Sequence, residues 1–199
     1  MNLLFVLDPL ETLKIEKDTS YVMMREAQRR GHQIWVTTQR GIRSAAGRVA
    51  VRAQQLLLDE MPNAWYEVVA SQDLFASDID GVLMRKDPPF DMEYIYTTYL
   101  LESLEQEGCR VFNRPKSIRD FNEKLSITKY PQFISPTLVT ADKALIHDFI
   151  VEQNEVVLKP LDGMGGSSVF RSRPNDPNLG VIIETLTQLG QRTIMVQKF

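Results

Sequence analysis

The stretch Val156-Val157-Leu158-Lys159-Pro160-Leu161-Asp162-Gly163-Met164-Gly165-Gly166-Ser167-Ser168-Val169-Phe170-Arg171 leads an apolar strand into a glycine-rich loop and out into a second strand. The glycines therefore sit at the tip of a hairpin. Such a loop lets backbone come close to a ligand and turn its N–H groups toward an anion. Lys159, at the end of the first strand, adds a point charge suited to phosphate. Two better-known phosphate motifs are absent. The P-loop needs Gly-Lys-Ser/Thr opening a helix, and the dinucleotide fingerprint needs Gly-x-Gly-x-x-Gly opening a helix. An ordinary hairpin turn with a solvated lysine is the alternative; the length of the loop and the placement of Lys159 favour phosphate.

Around this hairpin the chain alternates strands and helices. Leu3-Leu4-Phe5-Val6-Leu7 is a continuous apolar run, the pattern of a strand buried on both faces. Asp18, Thr19 and Ser20 offer N-caps for a helix that runs to Arg30 and closes at Gly31. Ile34-Trp35-Val36-Thr37 follows as a second strand, so the first 37 residues read as a βαβ unit with a right-handed crossover. Ala46-Gly47 turns a hairpin whose second arm passes through Val49 and Val51. Ile79–Met84 is a further buried strand, and it delivers Arg85-Lys86-Asp87-Pro88-Pro89-Phe90-Asp91 to its carboxyl end. A helix over 92–107 and a strand over 110–113 come next. The character then changes, with a helical segment at 120–125, a short strand at 137–139, a helix over 142–152, the glycine hairpin, a helix over 179–189 and a last strand over 193–197. The pattern predicts a doubly wound α/β domain to about residue 122 and a smaller α+β domain after it.

Composition narrows the function. The 199 residues give room for one large or two small domains. A net charge of −3 excludes a general polyanion-binding surface, so nucleic acid is not an expected partner. No apolar stretch approaches the ~20 residues that span a bilayer, and no membrane role is expected. The run Asn2–Leu7 ends at Asp8-Pro9, as a first core strand does and a signal peptide does not. A lone Cys109 excludes an intrachain disulfide and fits a reducing cytoplasm; it reads as a buried, inert thiol. His32 and His147 lack ligand spacing, so no zinc site is expected.

Three motifs together are more specific than any one of them. Met84-Arg85-Lys86-Asp87-Pro88-Pro89-Phe90-Asp91, Asn122-Glu123-Lys124-Leu125 and Lys159-Pro160-Leu161-Asp162-Gly163-Met164-Gly165-Gly166, in this order and at these separations, resemble the bacterial glutathione synthetases, which are ATP-grasp ligases. The likeness runs from Asp8-Pro9 to Gln197. It implies a pre-ATP-grasp, Rossmann-like substrate domain over 1–122 and an ATP-grasp lid domain over 123–199. The activity it implies joins the cysteine carboxylate of γ-glutamylcysteine to glycine, with ATP and Mg2+, through an acyl phosphate.

Carried over position by position, the resemblance gives Lys124 and Lys159 to the nucleotide phosphates. Gly163, Gly165, Gly166, Ser167 and Ser168 become a flap closing over the β- and γ-phosphates, where it would keep water from the acyl phosphate. Gln197, Lys198 and Phe199 become a strand edge holding adenine through its backbone, and Arg85 a group facing the peptide substrate, able to grip a carboxylate bidentately. For Asp18, Thr19 and Ser20, helix capping is the favoured role over presenting a helix N-terminus to a carboxylate. The family's magnesium ligands and charge-stabilising arginines would lie beyond Phe199. The expectations are therefore that this polypeptide alone is inactive, and that Ile194-Met195-Val196 exposes apolar surface or an unpaired edge that drives self-association. A homo-oligomer or a complementing C-terminal chain would then be its partner. A non-catalytic nucleotide-binding or assembly fragment, or another ATP-grasp carboxylate–amine ligase, are the competing readings.

Overall fold

The computed structural model describes residues 1–59 and 64–199. The chain divides into two compact units, Met1–Asp120 and Phe121–Phe199.

In the first unit β1 (Asn2–Val6) is the centre of a seven-stranded sheet. Helix α1 (Thr19–Arg29) crosses to β2 (Gln33–Thr37), which lies parallel to β1. After β2 the chain turns antiparallel through β3 (Ile42–Ala45), β4 (Arg48–Leu58) and β5 (Tyr66–Leu74). It then returns to the other side of β1 with β6 (Gly81–Met84), passes through α2 (Met92–Gln106) to β7 (Val111–Phe112) and ends in α3 (Pro115–Asp120). The order β3-β4-β2-β1-β6-β7, with β5 on the outer side of β4, makes β1 the point where the chain reverses direction across the sheet.

Alternate residues of β1 explain its unbroken apolar run. Leu4 and Val6 pack with Leu101 and Leu104 of α2 on one face, while Phe5 packs with Met24 and Ala27 of α1 on the other. Both faces are covered, so neither tolerates a polar residue. Asp18 caps α1, its carboxylate accepting from the N–H groups of Ser20 at 2.6 Å and Tyr21 at 3.2 Å.

The second unit is a four-stranded antiparallel sheet in the order β10-β9-β11-β8. Its elements are β8 (Thr137–Thr140), α4 (Lys143–Gln153), β9 (Val156–Pro160), β10 (Phe170–Ser172), α5 (Leu179–Thr187) and β11 (Ile194–Lys198). Ile146 and Ile150 of α4 and Ile183 and Leu186 of α5 pack with Val156, Leu158, Ile194 and Val196. Strand alternation sends the intervening residues Val157, Lys159, Met195 and Gln197 to the opposite, helix-free face.

Three expectations are corrected, and one element has no counterpart in the sequence reading. The helical segment at 120–125 is instead the end of α3 at Asp120 followed by a 3-10 turn over Leu125–Lys129. Pro115, favoured at a first helical position, starts the helix early, and the Asn122 carboxamide accepts from the N–H groups of Lys124 and Leu125 to start the separate turn. Helix α5 stops at Thr187, because Gln188 and Leu189 adopt left-handed backbone at φ 48° and 59°. The strand β11 is no exposed edge: it pairs with β8 on one side and β9 on the other, and Ile194, Met195 and Val196 are fully buried. The long β4–β5 hairpin was not foreseen at all.

Candidate active site

The helix-free face of the second sheet carries the phosphate candidates. Lys159 projects from β9, half-buried, and its ammonium donates to Gln197 Oε1. Gln197 Nε2 in turn donates to Thr137 Oγ1 at 2.9 Å. Lys124, from the loop before the 3-10 turn, reaches the root of the glycine loop and donates to the Gly163 carbonyl at 2.5 Å. Burial holds the Lys159 ammonium below the usual lysine range, and the positive charge of Lys124 pushes the same way, against a weaker opposite pull from Glu123. Two cations are thus held close enough to repel each other. An anion between them would offset that repulsion.

The glycine loop itself is exposed from Met164 onward. Gly165 and Gly166 have φ of +64° and +75° with open space where a side chain would stand. Ser168 is left-handed too, at φ 57°, and the loop is held internally by Ser167 N–H to Met164 O and Val169 N–H to Gly166 O. Beneath it lies a cavity of about 130 Å³ whose lining includes Lys124, Glu123, Pro160, Gly163, Gly166 and Ser167, the Glu123 carboxylate standing 3.7 Å from the Lys124 ammonium. That volume is below the ~300–1,000 Å³ of whole-ligand sites, so it is sized for a phosphate tail and not for an entire nucleotide.

At the far end of β11, Lys198 N–H donates to Pro136 O at 2.9 Å and Phe199 N–H to Glu155 O at 3.0 Å. These donors are committed to the protein, which departs from the picture of an open strand edge. The Phe199 ring lies under the Arg171 guanidinium, 3.6 Å from ring centroid to carbon, and Glu155 accepts from both Arg171 and Arg173.

Arg85 belongs to the first unit. It follows β6, whose carboxyl end lies beside that of β1, at the switch point where ligands of open α/β sheets bind. Its guanidinium donates to Thr19 Oγ1 at 2.7 Å and Ser20 Oγ at 3.2 Å, at the start of α1. These are neutral partners, and among the described residues no carboxylate stands within ion-pair distance of it. The two hydroxyls thus aim the cation and leave its charge available, while Asp18 alone does the capping. Beside it, Lys86 pairs with Asp8 at 2.8 Å, and Asp8 also accepts the Asp87 N–H at 3.0 Å. Burial, then the charges of Asp8 and Asp18, push the Asp87 carboxyl above its usual range.

Sequence reasoning missed Asn122, whose Nδ2 donates to Leu161 O at 3.3 Å, and the ion pair of Asp162 with Arg192. Asn122 was readable within its motif; the Arg192 partner, 30 residues from Asp162, had no local signal. Among the described residues no three His, Cys, Asp or Glu side chains converge into a metal-binding group. Nor is any helix among them long and apolar enough to cross a membrane. Cys109 is buried, and burial pushes its thiol up to about 11.

Residues 1–119 match the N-terminal domain of prokaryotic glutathione synthetase, and residues 123–199 match the ATP-grasp domain of the same family. The chain is 52% identical to the glutathione synthetase of Nitrosomonas europaea, covering all of this chain and 63% of that protein. It is 47% identical to the glutathione synthetase of Vibrio parahaemolyticus, over 98% of this chain and 61% of that one. The chain thus spans about three fifths of the length of the curated relatives it matches. Among solved structures, a D-cycloserine synthetase shares the fold at a TM-score of 0.64 and 15% identity, over 99% of this chain and 59% of that one. D-alanyl-alanine synthetase A from Vibrio cholerae does so at 0.62 and 12%, over 100% and 58%. With both of its units matched in order to the two domains of one enzyme, the chain belongs to the prokaryotic glutathione synthetase family.

Proposed function

We propose that this chain supplies the substrate-holding and phosphate-holding parts of an ATP-dependent ligase that joins γ-glutamylcysteine to glycine. Residues 1–122 are the substrate domain in this reading, and 123–199 grip the nucleotide. The reaction transfers the γ-phosphoryl group of ATP to the cysteine carboxylate, releasing ADP. The glycine amine then forms the amide bond, phosphate leaves and the amine gives up a proton. The observation that carries the reading is that Lys124 lines the cavity under the glycine loop and lies near enough to Lys159 for its charge to disfavour the charged form of that second lysine.

Each group has a role in this scheme. Lys124 and Lys159 neutralise phosphate oxygens. The flap residues Gly163, Gly165, Gly166, Ser167 and Ser168 cover them and exclude water that would otherwise hydrolyse the acyl phosphate. Gln197, Lys198 and Phe199 border the base, and Arg85 grips a carboxylate of the peptide. Magnesium, when bound, supplies further charge neutralisation on the phosphates. The described residues offer no carboxylate set for it, and none is assigned to it. The single, buried thiol suits a cytoplasmic setting for this chemistry.

The test is calorimetric titration of the purified chain with Mg·ATP, with Lys159→Ala as control. Saturable binding abolished by the substitution is the expected result. A folded chain that binds nothing, or that binds equally well without Lys159, would overturn the assignment of the phosphate site.

A further inference from the structure

The β9–β11 ladder pairs Val157 with Gln197, Lys159 with Met195 and Pro160 with Ile194. Two residues further along the same register, Asp162 stands opposite Arg192. Pro160, the last residue of β9, has no N–H to give to the ladder. At that point the Asp162 carboxylate and the Arg192 guanidinium form an ion pair, a side-chain rung where the main-chain rungs stop. Arg192 is itself fixed, its N–H donating to Thr187 O at 2.7 Å.

The loop changes character at this rung. On the strand side, Leu161 O is held by Asn122, and Gly163 lies back on the Pro160 ring, where an added Cβ would sit 3.3 Å from Cγ. On the tip side, Gly165 and Gly166 have nothing within 4 Å of an added Cβ. The remaining tether is Lys124 to Gly163 O, and a phosphate competes for that ammonium. The Asp162–Arg192 pair uses neither phosphate lysine, so it persists when they turn to a ligand.

We propose that Asp162 and Arg192 are positioning residues, a clasp that holds the root of the glycine flap so that its pivot falls just beyond them, at Gly163. The root stays on β11 while the tip opens and closes. The link to catalysis rests on the nucleotide reading above; the clasp itself does not.

Hydrogen exchange on the purified chain tests it. Amides of 163–169 report the flap, and those of β9 report whether the sheet is intact. For a partly exposed ion pair, Asp162→Asn should speed flap exchange about two- to fivefold with β9 unchanged. Arg192→Gln, made on the other strand, should do the same. The double variant should be no faster than either single one, since both remove one contact, and Arg192→Lys should stay near the wild-type rate. Unchanged flap exchange in both single variants, or additive effects in the double, would overturn the clasp. A second arm adds Mg·ADP. Protection of 163–169 in the wild type, weakened in Asp162→Asn, ties the pivot to closure over phosphate. Absence of protection in the wild type counts against the nucleotide reading, while the ligand-free comparison still decides the clasp.

Discussion

Replacing Lys159 by methionine separates a ligand-binding lysine from a structural one, because the two roles predict opposite signs of stability. Methionine keeps most of the volume and stem of lysine and removes the charge. In the free chain, burial and the neighbouring Lys124 both disfavour the charged Lys159. Its pKa in the fold lies below the unfolded value, so the charged form costs stability at neutral pH, and this cost fades as pH rises through the folded pKa. Lys159→Met relieves it, at the expense of one hydrogen bond to Gln197, whose half-buried side chain water can reach. For a partly exposed pair of charges we expect a gain of about 0.3–1 kcal/mol, or a few degrees in Tm. Phosphate binding moves the other way. A lost charge-assisted hydrogen bond is worth about 1.5–3 kcal/mol, so affinity for Mg·ADP should fall about 10- to 150-fold, toward the lower end because Lys124 remains. Thermal unfolding and calorimetry on the same two proteins read both quantities. A variant that is less stable than the wild type, or that binds within about threefold of it, would refute the reasoning.

The depressed Lys159 pKa also predicts that nucleotide binding takes up protons at pH values below the usual lysine range near 10.4, since an anion restores the charged form. Titrations at a series of pH values approaching the usual lysine range, in buffers of different ionisation enthalpy, measure that uptake, which should vanish in Lys159→Met. With its thiol pushed up to about 11, Cys109 should react with iodoacetamide at pH 8 about a hundredfold or more slowly than a free thiol, until denaturant exposes it. Leu158→Ala empties a fully buried position between the second sheet and its helices, and should cost about 2–5 kcal/mol by urea unfolding followed on the second unit.

Much of this architecture is legible because apolar runs and caps are local signals. Leu3–Leu7 reads as a doubly buried strand since α1 and α2 cover its two faces, and Asp18, Asp91 and Asp142 each announce a helix one residue ahead. The strand β5 was missed for a physical reason. Its Glu67, Val68 and Val69 are all exposed, so its side chains obey no inside–outside alternation, and Val69, an extra residue opposite Gln55/Leu56, breaks its own period. The lysines and glycines of the candidate site were visible as motifs. What surrounds them was not: Thr19 and Ser20 aim Arg85 across 66 and 65 residues, and Gln197 holds Lys159 across 38. Such pairings are set by strand register and helix placement, which no local pattern encodes.

The interior position of β11 has a consequence for how the polypeptide is made. As the chain leaves the ribosome, β8 and β9 have no direct partner in each other, because β11 stands between them. The apolar faces of α4 and α5 therefore wait on a half-built sheet until residues 194–198 emerge. Unit one has by then been complete for some seventy residues of synthesis, so at ordinary elongation rates it has several seconds or more in which to fold alone. Nascent chains in which residues 194–198 are still enclosed in the ribosome should thus be the species most in need of chaperones, and those from which these residues have emerged should not.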